Sequence, residues 1–102
     1  MTLHAEIIEQ NGCLAVAGNL NFQTVTKLWH MSQPLLTVVP VLTFDLAKVT
    51  AVNSAGLALL LQWQRYALTH KKAIAFVNMP PQLVSIAKVA GIAELLKQHY
   101  KM

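Results

Sequence analysis

Apolar and polar positions alternate with two different periods along this chain, and the switches between them outline its elements. Leu3–Glu9 and Cys13–Ala17 are short β-type runs on either side of Asn11-Gly12, the dipeptide that most strongly signals a tight hairpin. Gly18-Asn19-Leu20-Asn21 then breaks the strand pattern, and Asn21 is suited to cap a helix. In that helix Val25, Leu28, Trp29, Ser32 and Leu36 share one face, with Thr26, Lys27 and His30 mostly elsewhere. Pro34 is expected to bend or end it. Val41–Leu46, β-branched or aromatic and apolar, predicts a buried central strand.

The next stretch is the most informative. Asn53 is placed to cap a helix whose first residue is Ser54 or Ala55. Leu57, Leu60, Leu61 and Gln64 share one face, while Ala58, Leu59 and Trp63 cover others. A helix apolar nearly all round is buried on more than one side. One side can pack on a sheet, and the other needs a neighbouring helix or a partner protein. Ala73–Val77 predicts another buried strand, and Met79-Pro80-Pro81 a turn with Pro81 at the first helical position. Leu83, Ile86, Ala87 and Ala90 form the inner face of a third helix, Gly91 ends it, and Ile92–His99 has the pattern of a short last helix. The order β-β-α-β-α-β-α-α implies an α/β fold. Its mixed sheet has about four strands, opens with an antiparallel hairpin and carries helices packed on it.

The 102 residues suit one domain spanning 1–102, with no visible linker or repeat. Hydrophobic residues make up 55% of the chain and charged residues only 12%, about half the share in an average globular chain. Some apolar surface is therefore expected to need a partner. The net charge of +4 is scattered, and no aromatic residues interleave with a basic stripe, which argues against nucleic acid. Neither a signal peptide nor an apolar stretch approaching the ~20 residues of a membrane span is visible. The chain reads as cytoplasmic.

Little points to catalysis. The four carboxylates, Glu6, Glu9, Asp45 and Glu94, form no evident acid–base couple. His4, His30, His70 and His99 have no metal-ligand spacing to one another or to Cys13, and Cys13 reads as a core residue. No Gly-rich phosphate loop is present, so neither metal nor cofactor is expected. The remaining candidate is Asn53-Ser54-Ala55-Gly56, where a hydroxyl meets the unpaired N–H groups of a helix start. Capping alone, worth typically ~1 kcal/mol, would account for Asn53 and Ser54. The apolar helix behind them points instead to a docking face.

Two stretches carry a family resemblance. Gly18-Asn19-Leu20-Asn21 is similar to the G-x-L-D turn of STAS domains. Phe44-Asp45-Leu46 followed by Val49 to Leu61 resembles their D-L-S-x-V-x-x-[ID]-D-[ST]-[SAG]-G-L-x-x-L-L signature. Within the family the V-N-S-A-G-L-A-L-L-L stretch is most similar to MlaB-like members, small cytoplasmic subunits of a phospholipid ABC transporter that maintains outer-membrane lipid asymmetry. The resemblance implies a non-enzymatic regulatory subunit. It would bind the MlaF-like ATPase subunit, reach the membrane permease indirectly and stay peripheral to the inner membrane. The implied contact residues are Asn53, Ser54, Ala55, Gly56, Leu57 and Leu61, with help from the third helix, and Ser54 is the implied phosphosite. The alternative within the family is an anti-sigma factor antagonist switched by an anti-sigma kinase. Asn21 and Asn53 stand where the family carries acids.

Overall fold

The computed structural model describes residues 4–91. Its elements are strands β1 (Ala5–Gln10), β2 (Cys13–Leu20), β3 (Val41–Val52) and β4 (Ala73–Val77), and helices α1 (Val25–Val38), α2 (Ser54–Thr69) and α3 (Pro81–Val89). The expected Ile92–His99 helix lies outside the described residues. The sheet order is β1-β2-β3-β4. The first pair is antiparallel, and β2–β3 and β3–β4 are parallel. This is the mixed α/β arrangement anticipated above, with β1 closing on β2 through Asn11 and Gly12, both at positive φ. Both crossovers step the same way across the sheet, so right-handed connections put α1 and α2 on one face.

Three boundaries differ from expectation. β2 continues through Gly18 to Leu20, because Gly18 takes φ +97° and lies against β1, where a Cβ would sit 2.1 Å from the His4 carbonyl oxygen. β3 runs six residues past Leu46. Its core positions shift from Leu42, Phe44 and Leu46 to Val49 and Val52, because pairing with β2 slips between Ala15 and Ala17 and again between Gly18 and Asn19. Each slip inserts an extra β3 residue and resets the alternation. α1 starts at Val25, not after Asn21. Asn21 heads a preceding turn, its Oδ1 accepting from the Gln23 N–H at 2.9 Å. Thr24 Oγ1 locks the same turn by donating to the Asn19 carbonyl at 2.6 Å. Pro34 neither ends the helix nor prevents the next turn. It sits on the exposed side, while Ser32 and Leu36 hold the helix to the core.

The core lies between the sheet and the helices. Trp63 of α2 is fully buried and stacks on Phe44 of β3 at 4.2 Å, and Phe44 stacks in turn on Phe76. A buried indole needs an acceptor. Trp63 Nε1 donates to Ser32 Oγ at 3.0 Å, and that hydroxyl donates to the Trp29 carbonyl at 2.7 Å. The Lys72 ammonium donates to the Leu36 carbonyl, to Thr37 at 3.2 Å and to Val39 at 3.0 Å. A cation thus holds the negative end of α1. Cys13, expected in the core, is half-buried, and His4, His30 and His70 are exposed. Ala90 is exposed as the residue that ends α3, with Gly91 left-handed behind it.

Asp45 has a structural role. Its Oδ1 accepts from Asn78 Nδ2 and from the Ala47 N–H, both at 3.0 Å, tying β3 to the end of β4. The Asn78 bond first, then the Ala47 bond and the Lys48 charge, hold its carboxyl below the ordinary 3.8. A depressed folded pKa gives stability that is present above the unfolded value and lost as pH falls through the folded one. Asn78→Ala should therefore raise the Asp45 pKa, read by NMR titration, and reduce the loss of stability below about pH 4. Ser32→Ala leaves the Trp63 N–H unpaired, and urea unfolding should show a loss of about 1–3 kcal/mol.

Candidate functional site at the start of the second helix

β3 delivers the chain to α2 through one extended residue. Asn53 has φ −124° and ψ −167°, and its Oδ1 accepts from the Ala55 N–H at 2.8 Å. Its carbonyl accepts from Gly56 at 2.9 Å and Leu57 at 3.4 Å. Its own N–H donates to the Leu20 carbonyl at 3.1 Å, which pins the helix start to the end of β2. A Cβ on Gly56 would lie 2.4 Å from Val52 Cγ2 and 2.8 Å from Leu20 Cβ. Only a hydrogen fits there, so Gly56 sets how closely α2 approaches the strands. Gln82 of α3 completes the junction, its Oε1 accepting from the Val52 N–H at 3.3 Å.

Ser54 is the first helical residue and is exposed. Among the described residues nothing hydrogen-bonds to its hydroxyl; Asn53 does the capping. The first turn of α2 contains no acid, so the positive end of the helix is left uncompensated beside Ser54. Below Ser54, α2 and α3 enclose a groove of about 360 Å³ lined by Leu57, Ser85, Ile86, Val89 and Ala90. Leu57, 5% exposed, is its floor, and Val89, 90% exposed, its rim. Leu61, a turn further on, is half-buried against the core.

The sequence-derived residues thus separate by role. Asn53 and Ser54 are at the surface, Leu57 floors the groove, Leu61 is outside its lining and packs against the core, and Ala55 and Gly56 are buried supports. The pattern missed Val89, which stands outside the inner stripe of α3. An apolar residue off that stripe, two positions before Gly91, was its one visible signal. No group of three or more His, Cys, Asp or Glu able to hold a metal occurs among the described residues. None of the helices among them is long and apolar enough to cross a membrane.

A family model described as "Mlab, STAS domain" matches residues 4–97. The chain belongs to the STAS domain family. Among solved structures, the anti-sigma factor antagonist SpoIIAA in its unphosphorylated form superposes with a TM-score of 0.69. That match is 12% identical and covers 89% of this chain and 84% of the other, so it speaks for the fold alone. No curated protein matches the sequence significantly.

The STAS junction yields a direct test. Gly56→Ala forces Leu20 or Val52 aside, and overpacking of this kind costs about 1–3 kcal/mol. Urea unfolding should show that loss, whereas Ser54→Ala should leave the midpoint nearly unchanged. A large loss for Ser54→Ala would give the serine a structural role.

Proposed function

We propose that this STAS protein is a non-enzymatic regulatory subunit of a phospholipid-transporting ABC system. It docks on the cytoplasmic ATPase subunit, meets the membrane permease only through that subunit, and supports assembly and activity of the ATPase. One observation carries the reading: an exposed serine with an uncommitted hydroxyl stands over an apolar groove between α2 and α3. A groove walled by Leu57, Ile86 and Val89, with no carboxylate or histidine in its lining, suits a protein surface better than a reacting substrate. Membership of the MlaB-like STAS family favours the ATPase as occupant. Through it the protein would sit at the cytoplasmic side of the inner membrane.

A specific feature also favours a second reading, the anti-sigma antagonist. Ser54 is accessible to a kinase, and the uncompensated helix end behind it would stabilise a phosphate of about −1.5 to −2 charges. Asn53 in place of the family's acid distinguishes this chain from the kinase-switched pattern. Mass measurement after incubation with an anti-sigma kinase and ATP separates the two readings, since only the second expects an added phosphate.

Ser54→Glu and Val89→Asp place charge at two exposed points on the rim of the groove without touching the core. Each should weaken co-purification with the ATPase by about tenfold or more, while unfolding stability stays within about 0.5 kcal/mol of wild type. Undiminished recovery of the complex with both variants would remove this face from the interface.

A further inference from the structure

The opposite flank of α2 carries a second hollow. Phe22, Val25 and Trp29 wall it on the α1 side, and Ala58 and Leu59 on the α2 side, around a volume of about 260 Å³. Trp29 and Gln62 also line the adjoining hollow of about 210 Å³, which holds Arg65, Tyr66 and His70. The shared residues make the two a single trough, apolar at the Phe22 end and cationic at the Arg65 end. Phe22 is 73% exposed, so it contributes little to the core. Tyr66 and His70 stack at 3.9 Å and form a flat wall beside Arg65. Aromatic residues and arginine are the side chains that dominate binding energy at protein interfaces.

Charge decides what this trough suits. α1, α2 and α3 contain no Asp or Glu. The described carboxylates, Glu6, Glu9 and Asp45, all lie on strands. Among the described residues Arg65 has no ion-pair partner, and the three described helices carry no carboxylate to answer it. The complementary ligand is apolar over about two helical turns and negative at one end. The trough is open along its length. A small molecule would leave much of its surface wet there, whereas a helical or extended segment can lie along it.

We propose that the α1–α2 trough receives an acidic, apolar segment of the ATPase partner, its hydrophobic side chains against Phe22 and Trp29 and an Asp or Glu at Arg65. The proposal rests on the docking function above and adds a second contact, on the other side of α2 from Ser54. A partner held on both flanks would grip α2 as a clamp.

The test measures the affinity of the full chain for the ATPase, for wild type, Phe22→Ala, Arg65→Glu, Arg65→Gln and Ser54→Glu, at low and high salt. Phe22 and Arg65 are exposed, so thermal unfolding should match wild type for these variants. Phe22→Ala and Arg65→Glu are each expected to weaken binding about tenfold. Arg65→Gln should flatten the salt dependence, because it removes the charge that salt screens. Loss of binding for Ser54→Glu with wild-type affinity for the Phe22 and Arg65 variants overturns the trough and leaves the docking function standing. Failure of the wild type to bind the ATPase overturns both. Flotation of the protein alone with phosphatidylglycerol vesicles, abolished by Arg65→Glu without change in ATPase affinity, overturns the proposal in favour of a membrane surface.

Discussion

The contact on which the rest depends is the one at Gly56, where the first turn of α2 rests on Leu20 and Val52 with room for a hydrogen and nothing larger. That approach lets the Asn53 N–H reach the Leu20 carbonyl, so the ends of β2 and β3 and the start of α2 share one rigid corner. Gln82 adds α3 to it. A helix start fixed by three elements has no freedom to turn Ser54 inward. The exposure of the serine follows from close packing beneath it, and a rigid rim at a docking surface limits the ordering that binding would require.

The same helix is also the centre of the core. Its apolar circumference has a structural cause: the sheet lies under Trp63 and Leu60, and α1 and α3 flank it on either side. What remains open is a stripe through Ser54, Ala58, Gln62, Arg65 and Thr69, with a groove along each edge. Core and candidate surface are therefore built on adjacent faces of one element. The stacked Phe44–Trp63 pair and the Ser32 hydroxyl anchor the buried face, so the open face can be substituted without disturbing the core.

Agreement with SpoIIAA at 12% identity fits this reasoning. The fold needs a corner where helix and strands meet closely, two right-handed crossovers and an apolar central helix. Many sequences satisfy those demands, and few identities are forced. In this chain Gly56 answers the first of those demands, since a Cβ there would overlap Val52 and Leu20.

Much was already written in the chain itself. The Asn11-Gly12 turn, the short β-type run of β1, the apolar β-branched run in the first half of β3, the capping Asn53 and the proline-led third helix are local signals acting within a few residues, so residue type and spacing located them. The uncommitted hydroxyl of Ser54 was beyond that reach, since serine also caps helices and only the tertiary structure shows that Asn53 alone bonds the backbone there. Equally out of reach were the length of β3 and the persistence of α1 past Pro34. Slips of β3 against β2 erase a two-residue period, and a proline is tolerated where buried neighbours anchor the helix around it. Local chemistry settled which elements form, whereas the fit between distant segments decided how far each extends and which side chains are left for a partner to meet.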